Sequence, residues 1–365
     1  MGGETVAARL DPTIVKGALY GLGAATLFGL GAPFAKGLVG RTGPLTLAAL
    51  LYLGAGLFAL ALAPVLRRIR SRGAARDESP LQRSDLLILV GATACGAIVG
   101  PSLLMFGLTR VSAIAGSLLL NLEAPLTMLI AVAVFKEHLG GRQALAASLI
   151  LLGAAIVGLQ PGDFRAHAIG ILAIAAASGS WAIDTNLSQR LSLRDPIALT
   201  RFKGLAGGAC TLLLAHLAGE PFPESKFAGA GLLIGIVGYG VSSILFYQGL
   251  RLVGAARIAA YFGTAPFLGA LAAIILLGER LRAGDVAAMV LMAGGVMMLL
   301  SESHSHEHEH EELHHDHRHI HDEHHQHAHE PGDPEEEPHA HPHRHLPLRH
   351  AHPHLPDLHH RHRHD

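Results

Sequence analysis

The sequence predicts an all-α, polytopic membrane protein: ten transmembrane helices arranged as two inverted five-helix repeats, followed by a disordered, His-rich C-terminal tail. Three observations carry this reading. Apolar stretches of about twenty residues recur through the body of the chain, each long enough to cross a hydrocarbon core of about 30 Å. The stretch from Gly107 resembles the stretch from Gly249, so the body contains an internal repeat. Near Ser301 the composition changes from Gly, Ala and Leu to His, Glu, Asp and Pro.

The spans fall at 14–35, 44–66, 86–108, 111–135, 143–160, 168–188, 196–218, 227–250, 253–277 and 284–300. The first, Gly17 to Ala35, lacks a convincing signal-cleavage site and is read as a retained helix. Residues 1–300 hold 23 Lys and Arg against 14 Asp and Glu, and the tail holds 5 against 15. Lys and Arg in the connections divide 16 to 7 between the two sides, mostly because of "LRRIRSRGAARDESPLQR". The positive-inside rule puts that connection, the N-terminus and the tail in the cytoplasm of a multi-pass protein of the cell (plasma or inner) membrane.

Within the repeat, Ala124-Pro125 answers to Ala265-Pro266, and Glu137-His138-Leu139 to Glu279-Arg280-Leu281. Upstream, "LFGLGAPFAKGL" from Leu27 answers to "SWAIDTNLSQRL" from Ser180, and Gly43-Pro44 to Asp195-Pro196. The repeats are 14–160 and 168–300, with the tail at 301–365. Five crossings per repeat force the second to enter the membrane from the opposite side, which is how many secondary carriers build two-sided access. Four Gly-xxx-Gly pairs, at Gly17, Gly96, Gly204 and Gly231, put small residues on one helix face and let backbones approach closely in lipid.

At this point the chain resembles the EamA-like members of the drug/metabolite transporter superfamily. The paired Ala-Pro and Glu-x-Leu segments, "SWAI" at Trp181 and Lys36 at the end of the first span carry the likeness, which covers roughly residues 14 to 300. The resemblance implies ten helices in two repeats and a carrier of amino acids, sugars, nucleotide-related metabolites, drugs or some metal ions. The chain departs from the pattern at Phe28, where such proteins often have Trp, and at Glu123 beside the first Ala-Pro.

Candidate site residues follow from what a bilayer tolerates. Pro125 and Pro266 lack the N–H that would bond four residues back, which frees the carbonyls of Asn121 and Phe262 near mid-span. Free carbonyls at membrane depth need protein or a water-filled cavity, so the two prolines are expected to flank a central cavity, against the plainer reading of packing kinks. Glu123 lies midway through an apolar span, where a carboxylate costs several kcal/mol unless it faces a cavity, pairs or stays protonated. That makes it the candidate coupling residue; a structural hydrogen bond, for instance to Asn121, is the alternative. Asp184, one turn from Trp181, and Arg257 are substrate candidates or members of a structural ion pair. Tyr239 and Tyr261 could line the site. Arg201 and Lys203 read as positive-inside anchors, and Lys36 as a snorkelling residue or one facing the cavity mouth.

Cys95 and Cys210 fall in apolar runs and suggest no redox chemistry. No phosphate-cradling Gly-rich loop and no Ser-His-Asp set stands out, so neither an enzyme nor an ATP-driven pump is expected. The tail has too few large apolar residues to fold. Its imidazoles suit Zn, Ni, Cu or Co: His304, His306, His308, His310, His314, His315, His317, His319, His321, His324, His325, His327 and His329 are the expected ligands. No cofactor is required by the spans, although a divalent transition metal on the tail is expected. The expected partners are the lipid bilayer and a small-molecule or ion substrate, not nucleic acid; a homodimer is compatible with the sequence. The leading functional expectation is a secondary transporter exporting a small metabolite or drug-like solute. A transition-metal exporter whose tail collects the ion, and a membrane-anchored metal-binding or sensing protein, remain the alternatives.

Overall fold

The computed structural model describes residues 12–70, 79–135, 140–159, 164–191 and 194–300, and in the tail the backbone of 304–309, 313–319, 339–345 and 349–354. The body is helical throughout. In chain order the α-helices are α1 (Pro12–Val39), α2 (Pro44–Arg70), α3 (Leu86–Thr93), α4 (Gly100–Leu108), α5 (Ala113–Leu119), α6 (Glu123–Phe135) and α7 (Gly141–Gly158). They continue as α8 (Phe164–Gln189), α9 (Pro196–Phe202), α10 (Gly208–Leu217), α11 (Ser225–Ile234), α12 (Ser242–Phe262), α13 (Ala265–Leu277) and α14 (Ala283–Leu300). Three π-helical turns, Ala94–Val99, Lys203–Gly207 and Gly235–Val241, join α3 to α4, α9 to α10 and α11 to α12.

Among the described residues eight helical stretches are long and apolar enough to cross a bilayer: Ile14–Val39, Pro44–Leu66, Arg83–Leu108, Ala113–Ile130, Gly141–Gly158, His167–Ser188, Pro196–Leu217 and Ser225–Leu250. Ala265–Leu277 and Ala283–Leu299 are shorter apolar helices. The protein is therefore an integral, multi-pass membrane protein.

Local chemistry sets the boundaries. Ser112 caps α5 by accepting the Ala115 N–H, and Asp195 caps α9 by accepting the Ile197 N–H, with Pro196 in the first turn where its missing N–H costs nothing. Gly278, at φ 64°, closes α13 in the left-handed conformation that glycine adopts without strain.

One expectation about the ninth span is corrected. The chain reverses near residue 252, within the helical stretch Ser242–Phe262: the Phe246 and Phe262 rings stand 5.2 Å apart, and along α1 Gly17 meets Val253 while Gly21 meets Ile258 and Tyr261. The equivalent turn in the first half has Ser112 as a cap, whereas the second half has Gly254 there, which offers no side-chain acceptor. Pro266 stands not in mid-helix but in the first turn of α13, after a tight turn in which the Thr264 N–H donates to the Tyr261 carbonyl. Pro125 likewise stands close to the start of α6, behind a 3-10 turn at Leu120–Leu122.

Helices of the first half pack on helices of the second: α1 on α12 and α13, α2 on α9 to α11, α4 and α6 on α8, and α7 on α14. Glycines make the closest of these approaches. A Cβ on Gly204 would lie 2.4 Å from the Gly56 nitrogen, and one on Gly235 2.1 Å from the Leu51 carbonyl oxygen. The Gly-xxx-Gly pairs beginning at Gly204 and Gly231 thus seat α2, because only a bare backbone fits there.

In the tail, β1 (His304–Glu309) pairs antiparallel with β4 (Arg349–His354), and β2 (Leu313–His319) with β3 (His339–His345). Main-chain ladders need no core to form, but two strands alone are marginally stable in water.

Candidate functional site

The interior of the bundle is built around Phe28 of α1. Its ring lies 5.9 Å from Trp181 of α8 and 5.5 Å from Tyr239 of the third π turn, both edge-on, and 5.1 Å from Phe262 at the end of α12. Tyr52 of α2 extends the group, 5.3 Å from Tyr239. Four helices, α1, α2, α8 and α12, together with the π turn that leads into α12, therefore supply one aromatic wall from both halves of the chain.

Polar groups of that wall converge on the first π turn. A π turn displaces carbonyls from the regular ladder, so they accept from side chains instead. Trp181 Nε1 donates to the Gly96 carbonyl at 2.9 Å, the Tyr52 hydroxyl donates to the same oxygen, and Ser180 Oγ donates to the Cys95 carbonyl at 2.9 Å. The Gly96-xxx-Gly100 pair is not a backbone-to-backbone contact like the others. A Cβ on Gly96 would stand 1.9 Å from Asp184 Oδ2, and one on Gly100 2.8 Å from Trp181 Nε1. These glycines make room for the Asp184 and Trp181 side chains of α8.

Asp184 binds Lys203. The ammonium lies 2.6 and 2.7 Å from the two carboxylate oxygens, Ser188 donates to Asp184 Oδ1 at 2.8 Å, and Lys203 donates to Ser188 at 3.3 Å. Side-chain exposure of 11% for Lys203 and 14% for Asp184 places the pair inside the bundle. Lys203 is thus no membrane anchor, and that expectation is corrected. It opens the second π turn, which leaves the regular helical path and lies against α2, on the side facing the first half. Its place immediately before the glycine pair Gly204-xxx-Gly208 was the one signal in the sequence.

Glu123 Oε1 accepts from Thr185, the residue after Asp184, at 3.0 Å. Its partner is therefore α8 rather than Asn121. Asn121 is 3% exposed, donates to Met292 Sδ at 3.7 Å, and leaves its Oδ1 without a partner among the described residues. Pro125 and Pro266 are both buried. Tyr239, 4% exposed, belongs to the aromatic wall, while Tyr261 packs on α1 at Gly21. The Arg257 side chain lies outside the described residues, as do Glu137 and the side chains of all the tail histidines.

Lys36 is held by main-chain carbonyls rather than left to snorkel. Its ammonium donates to the carbonyls of Leu108 and, at 2.7 Å, Val111, at the end of α4. Glu279 holds the other side of that turn, accepting from the Ala113 and Ile114 N–H groups at 2.7 and 2.9 Å. The Glu-x-Leu segment of the second half is thus a helix cap for the first.

The fold is thus a helical, multi-pass membrane bundle with an aromatic and ion-paired interior to which both halves of the chain contribute. The sequence profile of the EamA-like transporter family matches residues 15–159 and again residues 168–301, and the chain belongs to that family. It is 30% identical over 290 residues to an uncharacterized transporter of Methanothermobacter thermautotrophicus, covering 76% of this chain and 83% of that protein. It is 29% identical over 203 residues to an uncharacterized protein of Pseudomonas aeruginosa, covering 54% of this chain and 68% of that one. A crystal structure superposes with a TM-score of 0.57 at 21% identity, over 78% of this chain and 96% of that chain, which shows a shared fold.

Proposed function

We propose that the protein is a secondary transporter that exports a small metabolite or drug-like solute by alternating access between two inverted five-helix halves. The observation that carries this reading is the pair of matched breaks: each half interrupts a span just before an Ala-Pro, at Leu120–Leu122 and at Gly263–Thr264. Two further features agree with it. The family profile matches each half separately, and the π turns Ala94–Val99 and Gly235–Val241 fall at equivalent places in the repeat. Broken helices on either side of a shared interior are how carriers of this type position a site between moving halves.

In this reading the solute rests against Phe28, Trp181 and Tyr239, with the Asp184–Lys203 pair at the polar end. Glu123 couples transport to an ion gradient, holding or releasing a proton while Thr185 reports its state to α8. The N- and C-termini are cytoplasmic, and the tail binds a divalent transition metal there as a chelator, not as the route of the cargo. The test is substrate-dependent proton flux into proteoliposomes holding the purified protein. The expected result is flux that disappears in Glu123→Gln while the protein stays folded. Flux unchanged in that variant would remove Glu123 from the mechanism, and the absence of any solute-dependent flux would remove proton coupling.

A further inference from the structure

Two polar ties between the halves are repeat-related. In the first, Glu220, in the connection between the seventh and eighth spans, reaches the start of α2. Its carboxylate accepts from the backbone N–H groups of Leu45 and Thr46 at 3.1 and 2.8 Å and from the Thr46 hydroxyl at 2.9 Å. Only glycine admits it, since a Cβ on Gly43 would lie 2.0 Å from Glu220 Oε2. In the second, the connection between the second and third spans reaches the start of α9. The Asp195 N–H donates to the Ser79 carbonyl at 3.0 Å, and the Arg194 guanidinium grips Asp85 with contacts of 2.8 and 3.2 Å.

Gly43-Pro44 and Asp195-Pro196 are equivalent positions in the repeat. Each is held by the equivalent connection of the opposite half, so the two ties are one contact made twice. If the halves are inverted, as the proposed function has it, the two ties lie at opposite ends of the bundle. Their chemistry differs: a carboxylate on helix N–H groups at one end, a bidentate ion pair at the other. Both are charge-assisted and partly shielded from water, so each costs free energy to open.

The geometry points to a pair of alternating gates, with Glu220 closing one end of the transporter on α2 and Asp85–Arg194 closing the other on α9. Opening either end requires its own tie to break while the opposite one holds. Lys36 and Glu279, which clamp the turn between α4 and α5, stabilise the same end as Glu220. The gates are not substrate ligands: a solute meets them only on passing an end.

The test uses the full-length protein in proteoliposomes with Cys95 and Cys210 replaced by Ser, carrying a single reporter cysteine at Thr42 or at Ser79. Both positions are buried beside their ties, 4% exposed each. Labelling by a membrane-impermeant maleimide, added from either side, reads how often each end is open. Glu220→Gln keeps the side chain's shape but loses its charge, and should raise labelling at Thr42→Cys roughly tenfold while lowering it at Ser79→Cys. Arg194→Gln should do the reverse. A merely structural role predicts that either variant raises labelling at both reporters or at neither, and that result overturns the gates. Reporters reached from the same side of the membrane would overturn the inverted arrangement and the gates with it. Reporters on opposite sides without reciprocal change overturn the gates alone and leave the proposed function standing.

Discussion

The first half breaks its span with Asn121, Glu123 and Pro125 around the break, and the second does so with Gly263, Thr264 and Pro266. The backbone devices match: a tight turn, then an Ala-Pro in the opening residues of the next helix. The chemistry does not. A carboxyl group at the first break has Thr185 as its partner, whereas at the second the Thr264 hydroxyl merely returns to the Tyr261 carbonyl of its own turn. The backbone break is therefore matched in the two halves, while a carboxyl group stands at one of them alone among the described residues. The turns that open the same spans differ too: α5 starts at a serine cap reinforced by Glu279, while the reversal within α12 has Gly254 where that cap would be.

This asymmetry can be tested by substituting matched positions. The largest expected effect is functional: Glu123→Gln should eliminate gradient-driven accumulation of solute in proteoliposomes, while Thr264→Ala should leave it close to wild type. Equal losses in both would erase the distinction between the copies. Next comes the ion pair beside Glu123. Lys203→Ala leaves Asp184 charged and unpaired inside the bundle, and should cost about 3–5 kcal/mol of stability by thermal melting in detergent. The neutral double variant Asp184→Asn/Lys203→Gln should recover most of it, because no lone charge remains. Gly96→Ala would drive a methyl into Asp184, and a loss of about 1–3 kcal/mol is expected from such overpacking. The smallest effect is at a helix cap: Ser112→Ala should lose about 0.5–2 kcal/mol with it.

How far the sequence reveals these features depends on what each one rests on. Eight of the ten expected spans were legible because lipid imposes length and apolarity on a crossing helix, whereas Ala265–Leu277 and Ala283–Leu299 are shorter apolar helices; the repeat is an expectation drawn from Ala-Pro and Glu-x-Leu recurring in order. The family resemblance rested on those same residues and holds. The placement of the breaks was only half legible: proline marks where a helix cannot bond, but the turn forms before it, at Leu120–Leu122 and at Gly263–Thr264. Gly96 and Gly100 looked like any other small-residue pair, and only the structure shows that they accommodate Asp184 and Trp181. Lys203 was misread because a positive charge near a span end has a generic explanation, and its partner lies nineteen residues away on another helix. Glu279 was noticed as half of a motif, but its task, capping a helix of the other repeat, is a tertiary contact that periodicity does not express.

The central claim is that the transporter core, and not the His-rich tail, defines the cargo. Uptake by proteoliposomes of the purified protein, with and without residues 302–365, screened over metabolites, drug-like solutes and divalent transition metals, tests it most directly. The account predicts transport of an organic solute that survives removal of the tail, with metal binding lost from the truncated protein. Transport of a transition metal alone, abolished by removing the tail, would contradict it.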